Sequence, residues 1–171
     1  MIAPREYDLY WSQLENSDFF LLSIYILVSV IPFVNAIREK TSIALAMVLS
    51  LLLVMFVRFT FSILELDFNE IHFFSLYPFI ADDPTQIHRF LTSAWLHADW
   101  IHVLSNILVI GLVGVPLEQR LGAKRWLLVY FLGFIGGNLA WVASHPDSIN
   151  PAIGASGAAF GLLGAYMACW P

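Results

Sequence analysis

Five segments of the chain, 19–37, 41–57, 100–117, 126–146 and 148–171, contain no Asp, Glu, Lys or Arg. A helix crosses the hydrocarbon core of a bilayer with about 20 apolar residues, in a range of roughly 17–25. The expected fold is therefore all-α, a polytopic membrane helix bundle with five hydrophobic spans. Composition agrees: 59% of the 171 residues are hydrophobic and 12% charged, too few charges to cover a soluble domain of this size. Eight Lys and Arg in all exclude a nucleic-acid binder, and the single Cys169 excludes a disulfide scaffold.

Loop cations orient the spans, because Lys and Arg accumulate on the cytoplasmic side. The second span extends through Arg58 to Leu64. Arg38 and Lys40 lie in the first short loop, and Arg120, Lys124 and Arg125 in the loop 118–125. These two loops share a side if every span crosses, and they hold five of the seven loop cations. That side is expected to be cytoplasmic, with the N-terminus outside. Residues 1–18 lack the basic start of a signal peptide, so the span after them is expected to be retained. Arg58 is expected to snorkel outward, or to pair with an acid such as Glu65. The loop 65–99 contains the uncharged aromatic run 71–81, too short to cross. It is expected to lie partly embedded in the membrane.

Three polar or small-residue features stand out against this background. His102 and Asn106 are four apart and so share one helical face near the outer end of a span. Such a pair either lines a functional cavity or only bonds helices together. Ser156 sits in Gly154-Ala155-Ser156-Gly157 at the outer entrance of the last segment, where a helix N-terminus offers free N–H groups to a developing oxyanion. A serine between glycines is also a common small packing residue. Gly154, Gly157, Gly161, Gly164 and Ala168 follow helical spacing, and Gly133 and Gly137 form a similar pair. Both sets predict close backbone approach between helices. His97 and His102 lack ligand spacing, so no metal or cofactor is called for.

His102-x-x-x-Asn106 and Gly154-Ala155-Ser156-Gly157, with Glu118-Gln119-Arg120-Leu121-Gly122 between them, resemble the H-x-x-x-N, G-x-S-G and E-x-R-x-G motifs of the rhomboid intramembrane serine proteases. The likeness runs from about Arg89 to Tyr166. It implies Ser156 as nucleophile and Gly154 as part of the loop before it. Asn106 and His102 would line the oxyanion hole, and His97 would match a structural histidine. Residues 1–40 would be an N-terminal tail with an extra transmembrane helix. Residues 41–171 would be a rhomboid core lacking its last two helices, with loop 65–99 as the embedded first loop.

The family's general base is a histidine on the sixth core helix, and all five histidines here precede Ser156. The base is thus expected outside this chain, which reads as an incomplete protease. The leading expectation is an endopeptidase that cuts single-span proteins near their outer ends, with transmembrane protein substrates and the lipid bilayer as its partners. The alternative is a non-catalytic rhomboid-like protein that binds transmembrane helices for trafficking or quality control. A transporter ranks below both, because no span carries a path of charges.

Overall fold

A computed structural model of the chain describes residues 15–66, 70–78 and 86–170. The first fourteen residues and the end of the aromatic run, 79–81, lie outside the described residues. The chain forms α1 (Asn16–Glu39), α2 (Ile43–Ile63), α3 (Glu70–Phe74), α4 (Arg89–Thr92), α5 (Trp100–Leu121), α6 (Ala123–Ser144) and α7 (Ser156–Cys169). Four of these, α1, α2, α5 and α6, are long and apolar enough to cross a membrane, and α7 is a shorter apolar helix. The polytopic helical membrane bundle is as the charge-free segments require. Four of the five expected spans reach crossing length, and the fifth segment contributes the 14-residue α7.

The helices share two ends. At one, the turns 40–42 and 122 join α1 to α2 and α5 to α6; this end carries five of the seven loop cations and is called the basic end below. Gly122, at φ +80°, reverses the chain in a single residue. Glu118, near the end of α5, accepts hydrogen bonds from the N–H groups of Ile43 and Ala44 at 2.9 Å and from the Ser42 hydroxyl at 2.6 Å. One carboxylate thus satisfies two orphan donors of the α2 N-terminus, while the Ser42 hydroxyl accepts the Leu45 N–H; negative charge there is also favoured by the helix dipole. Glu118→Ala is expected to destabilise the protein by about 2 kcal/mol. Thermal unfolding in detergent measures this, and an unchanged midpoint would contradict the capping role.

α7 packs against both α5 and α6, and its seam with α6 has no side chains between the backbones. A Cβ on Gly133 would lie 2.9 Å from the Gly157 carbonyl oxygen and 2.9 Å from Gly161 Cα. The expected small-residue stripe is confined to Gly157 and Gly161. Gly154 precedes the helix, and a Cβ on Gly164 would meet nothing within 4 Å.

The segment between α2 and α5 descends into the bundle. The Trp95 indole N–H donates to the Ser50 hydroxyl at 2.7 Å, and Ser50 in turn donates to the Ser29 carbonyl at 2.8 Å. Ser50 lies well inside α2, so the turn Ser93–Trp95 reaches far below the helix end. Arg58 pairs with an acid, as one of the two expectations had it, but not with Glu65. Its partner is Glu70 on α3, with Nε 2.7 Å from Oε1, and its Nη1 also donates to the His97 carbonyl. The short α3 folds back over the end of α2 and brings Glu70 to the guanidinium, whereas Glu65 is exposed. Pairing lowers the cost of holding this charge at the membrane edge.

Candidate active site

Asp99 starts α5: its carboxylate accepts the His102 N–H at 2.8 Å as an N-cap. That places His102 one turn into the helix and Asn106 two turns in, on the face turned to α7. Opposite them stands Gly154. Its φ of +107° is a conformation that L side chains rarely adopt. A Cβ there would lie 2.7 Å from His102 Cε1 and Nε2, and 3.6 Å from Asn106 Nδ2. His102, Asn106 and Gly154, far apart in sequence, therefore meet at one point.

Three contacts hold the segment before Ser156 in place. Gly154 N–H donates to the Ser93 carbonyl at 2.9 Å, and Ala155 N–H donates to His97 Nε2 at 3.3 Å. Leu76 and Ala152 exchange a pair of backbone hydrogen bonds at 3.0 and 2.8 Å. With those donors used, Ser156 opens α7 as its first residue, and the first bond of the ladder runs from Ala159 N–H to the Ala155 carbonyl. The N–H groups of Ser156, Gly157 and Ala158 have no intrahelical acceptor and are suited to an anion.

Depth follows from helix lengths. Arg120 lies over the Trp170 ring at 4.7 Å, which pins the end of α7 to the basic end of α5. At 1.5 Å per residue the 14 residues of α7 span about 21 Å and the 22 of α5 about 33 Å. Ser156 is thus recessed by about 10 Å below the start of α5, near the level of Asn106.

Asn106 is buried, and its Nδ2 has no hydrogen-bond partner among the described residues. A buried amide donor without an acceptor is rare and costly. It faces the Gly154 backbone, two residues from Ser156. The Ser156 hydroxyl also makes no hydrogen bond among the described residues, and no described histidine is bonded to it. His88 contacts the Phe73 carbonyl, His145 stacks on Trp141, and His102 Nδ1 accepts the Ala98 N–H at 3.4 Å.

The family model of the Rhomboid domain matches residues 84–171, just over half of the chain. The chain belongs to the rhomboid family. RHOMBOID-like protein 1 of Arabidopsis thaliana is 42% identical over 82 residues, 48% of this chain and 21% of that protein. Rhomboid-like protease 3 of Toxoplasma gondii is 37% identical over 83 residues, 48% of this chain and 31% of that protein. Rhomboid-related protein 3 of Homo sapiens is 41% identical over 83 residues, 48% of this chain and 20% of that protein. The match thus spans a fifth to a third of these relatives' own length. No solved structure matches the chain. This rhomboid is an integral, multi-pass membrane protein, and its family is one of intramembrane serine proteases and related rhomboid-like proteins.

Two features of the rhomboid site were not legible in its sequence. Asn138, deep in α6, donates to the Phe90 carbonyl at 3.2 Å and so ties α6 to the segment that carries Ser93. An uncharged amide in a span was the only available signal. His97 was placed as structural by resemblance, but its bond to Ala155 could not be read from spacing.

Two outcomes test this geometry. Gly154→Ala combines a left-handed φ with a clash against the His102 ring. It is expected to lower the unfolding midpoint in detergent, because an L side chain must hold a strained φ or move the loop away from His102. A midpoint equal to the parent's would contradict the placement of His102 against Gly154. The second concerns His97. Burial, and to a lesser degree His102 and Arg58, lowers its pKa from 6.5 to about 4. The neutral ring that accepts the Ala155 N–H is therefore the form the fold prefers. Its stabilisation is complete above pH 6.5 and is lost as pH falls towards 4. The unfolding midpoint is expected to fall over that window and to flatten in His97→Gln; equal slopes in the two proteins would contradict the assignment.

Proposed function

We propose that the full-length protein is an intramembrane serine endopeptidase that cleaves transmembrane segments of single-span proteins near the outer face of the membrane. Ser156 is the nucleophile. Asn106 Nδ2, His102 and the Ser156 N–H hold the oxyanion, and Gly154 keeps the loop before Ser156 close to them. The observation that carries this reading is the buried, unpartnered Asn106 amide facing the Gly154 backbone beside Ser156. A donor left without an acceptor in a recessed pocket is what a developing oxyanion would satisfy.

In the reaction, Ser156 Oγ attacks the scissile carbonyl while a base takes its proton. Collapse of the tetrahedral intermediate breaks the C–N bond, and the base returns the proton to the leaving amine. A water, deprotonated by the same base, then attacks the acyl carbonyl, and breaking of the C–Oγ bond releases the second fragment and restores Ser156. That base is expected from a part of the protein outside the described residues. The basic loops 38–40 and 118–125 face the cytoplasm in this reading, and the N-terminus and Ser156 face the other side. Residues 1–40 form the tail and an extra helix, and 41–171 belong to the rhomboid core.

The absence of a histidine hydrogen-bonded to Ser156 among the described residues favours a second reading, a non-catalytic binder of transmembrane helices. Full-length protein co-reconstituted with a single-span test substrate separates the two. A protease releases two fragments cut near the outer end of the span, whereas a binder retains the uncut substrate.

A further inference from the structure

A second feature of the molecule belongs to α1 and not to the candidate active site. A cavity of about 440 Å³ lies between α1 and α6, with α2 as its floor. Its size falls within the roughly 300–1,000 Å³ of small-molecule sites. Its walls are aliphatic and aromatic, with Ile26, Val30 and Phe33 on α1 and Leu127 and Phe131 on α6. Two of the hydroxyls in the lining already bond within the protein. Ser29 donates to the Tyr25 carbonyl at 2.6 Å, and Thr92 donates to the Phe74 carbonyl at 2.9 Å.

Shape limits what can enter. Thr92 and Trp95, from the embedded segment, form the roof at the end away from the basic loops. Ile26 to Phe33 spans about 10 Å at 1.5 Å per residue, which is less than one leaflet of a core about 30 Å thick. A transmembrane helix cannot run through a groove closed at mid-depth. A single acyl chain of the leaflet at the basic end can enter and stop beneath Trp95.

Charge marks the open end. The α1 stripe Ile26–Val30–Phe33 continues at helical spacing to Ile37, and Lys40 follows as the left-handed C-cap of α1 at φ +54°; the α6 stripe runs from Phe131 and Leu127 back to Lys124. Both lysines are exposed, and neither is in an ion pair among the described residues. Basic groups between transmembrane helices at a membrane surface suit anionic headgroups. We propose that this groove binds an anionic phospholipid, with one acyl chain between α1 and α6 and the phosphate held by Lys40 and Lys124. The lipid fills the gap between the first helix and the rest of the bundle, independently of whether Ser156 is catalytic.

The test uses full-length protein exchanged into equimolar phosphatidylglycerol and phosphatidylcholine, with retained lipid read by native mass spectrometry. One retained phosphatidylglycerol is expected, preferred over phosphatidylcholine by about tenfold or more. Lys40→Gln with Lys124→Gln is expected to remove the preference, and Val30→Trp, at a half-exposed wall position, to remove retention of both lipids. Equal retention of the two lipids by the parent protein, or retention unchanged in Val30→Trp, overturns the proposal. A photoreactive benzophenone amino acid placed at Val30 in native membranes gives an independent check. Crosslinks carrying the mass of one phospholipid support the proposal; a crosslink to a polypeptide means that the groove seats a protein and overturns it.

Discussion

In the proposed protease, Ser156→Ala in the full-length protein is expected to lower proteolysis by a factor on the order of 10⁶, to below detection, as removal of the serine does in serine proteases. The hydroxyl is the only group at the head of α7 that can form the acyl-enzyme, because Gly154, Ala155 and Gly157 around it carry no nucleophile. Alanine fits the same helix position, so folding should be unaffected and the loss should appear in turnover alone. Cleavage of a reconstituted substrate together with an unfolding curve separates the two quantities. Turnover within about tenfold of the parent would remove Ser156 from the mechanism.

Gly133→Leu is expected to have the largest effect on stability. Its Cβ would lie 2.9 Å from a carbonyl oxygen and from an α-carbon of α7. Both neighbours are backbone, so no rotamer change can relieve the contact and the two helices must separate. Overpacking in a well-packed core costs about 1–3 kcal/mol. A branched side chain between two backbones belongs at or above the upper end of that range. Gly136 gives the control, since a Cβ there meets nothing within 4 Å. Gly136→Ala is expected to be neutral or to stabilise slightly through helix propensity. Equal unfolding midpoints for the Gly133 and Gly136 variants would contradict the α6–α7 seam.

What the sequence made legible follows from the range over which each signal acts. Spans show in charge-free segments because the bilayer taxes every residue of a helix alike. His102 and Asn106 share a face because spacing along one helix is local geometry. The motifs around Ser156 and Glu118 were visible as short strings, but the role of Glu118 as a cap on α2 was not, since its partners lie more than seventy positions away. Also not legible were Trp95 on Ser50, Glu70 on Arg58 and Asn138 on the Phe90 carbonyl, at separations of 45, 12 and 48 positions. Each joins a span to an aperiodic segment, where hydropathy carries no register. The glycine stripe failed in part for a related reason. Helical spacing was extended through Gly154, whose φ of +107° places it before the helix.

The most direct test of the central claim is fluorophosphonate labelling of the full-length protein, with the modified residue mapped by peptide mass spectrometry. The reagent reacts with a serine whose hydroxyl is activated by a base and whose phosphonyl oxygen can be held by oxyanion donors. A single adduct on Ser156, absent from Ser156→Ala and weakened in Gly154→Ala, is the predicted result. An unlabelled protein, or an adduct on any other residue, would contradict a serine protease built on Ser156.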